Sequence, residues 1–87
     1  MQTPVILPEL GVDAATEMVV SFWFAEEGED VLEGDRLVEI LAGQVTFDVP
    51  APQSGRLVAV RVAEDDSVRC GDVLALLETE DEADIEI

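Results

Sequence analysis

Side chains able to do covalent or acid–base chemistry are scarce in this 87-residue chain. It has one thiol, Cys70, and no histidine, lysine or tyrosine. A cysteine nucleophile needs a neighbouring base, and a zinc site of the usual kind needs several nitrogen or sulfur ligands. Neither can be assembled from a single cysteine without histidine. Chemistry that depends on a lysine amine is impossible, and one cysteine cannot close an internal disulfide. What remains is charge. Twenty-one Asp and Glu stand against four arginines, Arg36, Arg56, Arg61 and Arg69, for a net charge of −17. Such a field repels phosphate backbones and anionic lipid, so nucleic-acid and membrane partners are both excluded as expectations. No apolar run approaches the ~20 residues of a membrane span. The opening Met1-Gln2-Thr3-Pro4 lacks the basic and apolar regions of a signal peptide. The expectation is a cytoplasmic, non-catalytic domain that works by contact with other proteins.

The elements that would present those side chains are strands. Apolar, β-branched or aromatic runs cover residues 5–7, 19–24, 37–41, 45–49, 57–62 and 73–77. Pieces rich in Gly, Pro and acidic residues separate them, at 8–11, 26–30, 33–35, 42–44, 50–55, 64–67 and 70–72. No segment keeps apolar positions at helical spacing over three turns, and residues 13–18 are too few to hold a helix. In the aromatic run Phe22-Trp23-Phe24, strand alternation sends Phe22 and Phe24 to the core. Trp23 is then left partly exposed as a candidate contact.

The chain also repeats itself. At a spacing of 37 residues Glu27 meets Glu64, Val31 meets Val68, Gly34 meets Gly71, Asp35 meets Asp72 and Leu37 meets Leu74. These are five identities among the eleven positions from 27 to 37, more than composition explains. Two similar β-units, each with one apolar face, bury those faces against one another. The expected fold is all-β: a flattened barrel or sandwich of two four-stranded antiparallel sheets with internal pseudo-two-fold symmetry. Residues 1–78 form the domain, and the acidic residues 79–87 form a tail or the start of a linker. Runs 37–41 and 45–49 are separated only by Ala42-Gly43-Gln44, which reads as a hairpin with Gln44 or a neighbour at its tip.

Taken in order, several pieces resemble the biotinyl/lipoyl attachment domains, and most nearly the lipoyl domains of 2-oxo-acid dehydrogenase acyltransferases. They are Leu7-Pro8-Glu9-Leu10-Gly11, the strand over 19–25, and Glu27-Gly28-Glu29-Asp30-Val31-Leu32-Glu33-Gly34-Asp35. Val45-Thr46-Phe47-Asp48-Val49-Pro50-Ala51-Pro52 with Gly55 follows, and then the second turn over 64–71. Each piece is weak alone; their order and spacing over residues 5–78 are specific. In that family the hairpin tip carries a lysine between Asp and Ala, which a ligase acylates with lipoate. Counting back from Val49-Pro50-Ala51-Pro52 puts that lysine at Gln44, its Asp at Gly43 and its Ala at Val45. The resemblance therefore implies a carrier scaffold whose attachment position, Gln44 with hairpin neighbours Ala42, Gly43 and Val45, departs from the family. No lipoyl or biotinyl cofactor is expected.

Three readings of Gln44 stay open. The domain has lost its modification, or a lysine has been replaced by design, or the neutral tip is repurposed to bind a partner or mimic an acylated lysine. Two function classes follow. One is a lipoyl-like structural or interaction module. The other is a lipoyl carrier domain of a 2-oxo-acid dehydrogenase complex with an altered or degenerate attachment site. A biotinyl-type carrier or an adaptor-like hairpin domain of a transport assembly is a third, weaker reading. Partners are proteins, with a 2-oxo-acid dehydrogenase component the one the resemblance implies. Trp23, Glu27, Glu29 and Asp30 are the candidate contact residues. The acidity suits either partner recognition or adaptation to high salt, where counter-ions relieve self-repulsion.

Overall fold

The computed structural model describes residues 1–13 and 15–79. Most of the expected tail, residues 80–87, lies outside the described residues. Eight strands form in order: β1 Gln2–Ile6, β2 Met18–Trp23, β3 Asp30–Val31, β4 Arg36–Ala42, β5 Val45–Pro50, β6 Gly55–Val60, β7 Ser67–Val68 and β8 Val73–Glu78. They build two four-stranded antiparallel sheets, β1-β8-β6-β3 and β5-β4-β2-β7. The sheets face each other as a sandwich and do not close into a barrel. Alternation explains much of this. In β4, Val38, Ile40 and Ala42 point inward and are buried, while Glu39 and Leu41 face outward and are only half-covered. The two-residue strands β3 and β7 fall within or against the stretches read as turns, because two residues carry no period.

The 37-residue repeat is a structural symmetry. Exchanging β2 with β6, β3 with β7, β4 with β8, and β5 with β1 turns one sheet order into the other. The irregularities obey the same rule. The register slips between Val20 and Phe22 in β2 and between Leu57 and Ala59 in β6. It slips again beside Leu37 in β4 and beside Leu74 in β8. At these second bulges two consecutive residues turn inward, so Leu37 and Val38, and likewise Leu74 and Ala75, are completely buried. The turn bonds match too: Gly28 N donates to Leu57 O as Asp65 N does to Val20 O, and Gly34 N to Ala51 O as Gly71 N does to Leu7 O.

One sequence expectation is overturned here. Phe22 is half exposed instead of buried, while Trp23 is partly exposed as expected but rests its other side on the core, with its Nε1 donating to Val62 O at 3.0 Å. The bulge at Ser21 inserts one residue after buried Val20 and reverses the phase of everything behind it. Simple alternation has no means of seeing that slip. Thr79, grouped with the tail in the sequence, is buried instead. Its N–H donates to Met1 O at 2.8 Å, and its hydroxyl is 3.1 Å from that of Thr3.

Candidate functional site

The β4–β5 hairpin is tighter than the sequence suggests. Ala42 is the last residue of β4, buried and paired with Val45, so the loop is only Gly43-Gln44. Gly43 has φ 65°, whereas Gln44 is not among the left-handed residues. A left-handed first residue followed by an ordinary second one is the type II′ pattern, which matches the strands' twist and favours Gly in first place. Gly43, Gln44, Val45 and Thr46 are all exposed. The β1–β2 loop runs beside the tip: a Cβ on Gly43 would lie 3.6 Å from Thr16 Cγ2. Asp13 orders that loop by accepting the Ala15 N–H at its carboxylate and the Thr16 N–H at its carbonyl.

The hairpin and the chain ends occupy opposite ends of the sandwich. Met18 pairs with both Ala42 and Val68 at the hairpin end, and from there the chain reaches Gly71 and bonds Leu7. Thr79 and Met1 lie at the far end of β1 and β8, beside Glu78, Arg56 and Gly55. Gln44 therefore stands on a short two-residue turn, at the other end of the sandwich from Thr79.

The candidate contact residues do not gather around Gln44. Glu27, Glu29 and Asp30 sit in the turn and short strand beside β6, toward the end that holds the termini. Each carboxylate is engaged within the chain. Glu27 Oε2 accepts the Val60 N–H at 2.7 Å, Glu29 Oε1 the Glu26 N–H at 3.0 Å, and Asp30 Oδ1 the Arg56 Nε at 3.2 Å. Trp23 lines a shallow open groove with Val60, Arg61, Val62 and residues 63–66. Cys70 is a half-buried free thiol 3.8 Å from Glu9 Oε1. Among the described residues no cluster of potential ligands could hold a metal ion. The exposed aromatic in this fold is Phe22, which alternation had assigned to the core.

The chain is a two-fold-related sandwich that holds one tight hairpin into solvent, with its chain ends away from it. Comparison with known proteins gives its family. The chain belongs to the biotin/lipoyl attachment family, whose model, described as "Biotin-requiring enzyme", matches residues 3–77. It is 32% identical, over 94% of its length, to the dihydrolipoyllysine-residue acetyltransferase component of the pyruvate dehydrogenase complex of Corynebacterium glutamicum. To the corresponding component of Mycobacterium bovis it is 38% identical over 83% of its length. To the succinyltransferase component of the 2-oxoglutarate dehydrogenase complex of Bartonella vinsonii it is 36% identical over 90%. The chain spans only 12%, 13% and 19% of these three proteins. Among solved structures, the lipoyl domain of the Azotobacter vinelandii 2-oxoglutarate dehydrogenase complex superposes with a TM-score of 0.71 at 23% identity. That match covers 88% of this chain and 98% of that one. A single-chain, multi-domain long-chain acyl-CoA carboxylase gives a TM-score of 0.72 at 25% identity, over 98% of this chain and 8% of that one.

Proposed function

We propose that this chain is a lipoyl-like domain without a modifiable lysine, acting as a structural and protein-interaction module instead of an acyl carrier. Gln44 carries the reading: it stands at the exposed hairpin tip, at the position that counting back from Val49-Pro50-Ala51-Pro52 gives the family's lysine, and the sequence offers no lysine elsewhere. Ligation of lipoate or biotin requires a nucleophilic amine. A glutamine carboxamide has its nitrogen lone pair delocalised into the carbonyl, and its side chain is shorter and uncharged. The residues present do not fit an amide-linked lipoyl or biotinyl group. The partner would be a component of a 2-oxo-acid dehydrogenase assembly, in keeping with the complexes named for the chain's relatives. A lone cysteine requires no oxidising compartment, which suits a cytoplasmic setting.

A second reading is a carrier domain of such a complex whose attachment residue alone has changed. The tight, exposed hairpin favours it. Intact-mass measurement after co-expression with a lipoate ligase separates the two. The chain itself should keep its unmodified mass, and any acyl shift on it overturns the proposal. Gln44→Lys should gain the lipoyl mass if the tip still satisfies the ligase. A variant that stays unmodified removes the second reading.

A further inference from the structure

We propose that the outer face of the β2–β4–β5 sheet binds an arginine side chain of a partner protein, laid on the ring of Phe22 and bonded to Glu39. The inference rests on the interaction-module reading and names the chemistry of the partner.

Phe22 pairs directly with Glu39, and Glu39 with Asp48, so the three side chains form one row across three strands on one face. Beside that row the chain has already built the motif once. The Phe24 ring meets the Phe22 ring edge-on, with centroids 5.2 Å apart and planes at 75°. Arg36 Cζ lies 4.6 Å over the Phe24 ring, and its Nη1 is 3.6 Å from Asp48 Oδ2. That set has a ring, a cation and a carboxylate. The neighbouring set has a ring and a carboxylate but no cation. Phe22 is 50% exposed, and the carboxylate of half-covered Glu39 makes no hydrogen bond or ion pair among the described residues.

A guanidinium supplies what is missing, since its plane stacks on an aromatic face while its N–H fork meets a carboxylate. The net charge of −17 favours a basic partner at longer range. An apolar occupant would desolvate Glu39 without compensation. The symmetry provides an internal control. On the other sheet the equivalents of Phe22, Glu39 and Asp48 are Ala59, Leu76 and Pro4, the same backbone without ring or carboxylate.

The test is an amide NMR titration of the 15N-labelled chain with a blocked Gly-Arg-Gly-Arg-Gly peptide. Its citrulline counterpart serves as the neutral probe, at about 0.15 M salt to screen distant charges. The expected shifts centre on Ser21, Phe22, Glu39 and Asp48, and citrulline produces none. Phe22→Leu, which keeps apolar bulk without the ring, and isosteric Glu39→Gln should each weaken binding about two- to five-fold. Their amide spectra report that both variants stay folded. Shifts centred on the acidic turns 26–30 and 63–66, equal binding of citrulline, unchanged affinity in both variants, or no shift at all would each overturn the proposal. The intact mass of the same sample reports separately on the functional reading: an acylated species defeats that reading and leaves the arginine site to be judged by the shifts.

Discussion

Asp65 sits at φ 76° in the second copy of a turn whose first copy places Gly28 at φ 92°. A left-handed conformation costs an ordinary L-residue about 1–2 kcal/mol, and Asp is among the few that tolerate it. The backbone hydrogen bonds of the turn are the same in both copies. Glu29 closes its turn by accepting the Glu26 N–H, and Asp66 by accepting that of Ala63. The backbone demand is thus common to both turns, and only the first meets it with glycine. Gly28→Asp should destabilise the domain by about 1 kcal/mol, and Asp65→Gly should stabilise it by about 0.5 kcal/mol after the entropy cost of glycine. Urea denaturation curves measure both; a gain from Gly28→Asp would contradict the equivalence of the turns. The alignment of Gly28 with Asp65 is legible in the sequence. The left-handed angle that Asp65 adopts is not, because nothing in an aspartate marks it.

The bulges decide which face each strand presents. Position 21 in β2 and position 58 in β6 are the skipped residues, and behind them the inward and outward sets change places. Trp23 therefore packs on the core and Phe22 faces solvent, and the arginine site exists only because of that slip. At the other pair of bulges Leu37 and Leu74 are wholly buried in equivalent places. Leu37→Ala and Leu74→Ala should each cost about 2–5 kcal/mol, and because the surroundings are related by symmetry the two losses should agree within about 1 kcal/mol. Denaturation midpoints compared at equal slope check this. A large difference would mean that the two halves of the core relax differently around a cavity. The strands themselves, the hairpin and the repeat were readable from residue order. The register slips were not, since a bulge is set by hydrogen bonds to a neighbouring strand distant in sequence.

At the scale of the molecule the dominant quantity is the charge of −17 on a small sandwich. Three ion pairs, Met1–Glu78, Arg36–Asp48 and Arg56–Asp30, all exposed to solvent, are formed among the described residues and offset little of it. Salt should therefore stabilise the fold by screening repulsion between like charges. The thermal midpoint is expected to rise by about 5 °C or more between low and molar NaCl, since about 1 kcal/mol moves the midpoint of a domain this size by roughly that much. A flat response would remove salt adaptation as the reason for the acidity. The sequence by itself determined the β class, the two-fold repeat, the absence of any lysine and the placing of Gln44 on a hairpin. Those follow from composition, local period and turn chemistry, which act over a few residues. Only the tertiary structure decided that Trp23 leans on the core while Phe22 does not, that Glu27, Glu29 and Asp30 are engaged within the chain, and that Phe22 and Glu39 share an open face. Those depend on register between strands far apart in the chain, and a one-residue slip in that pairing exchanges inside for outside.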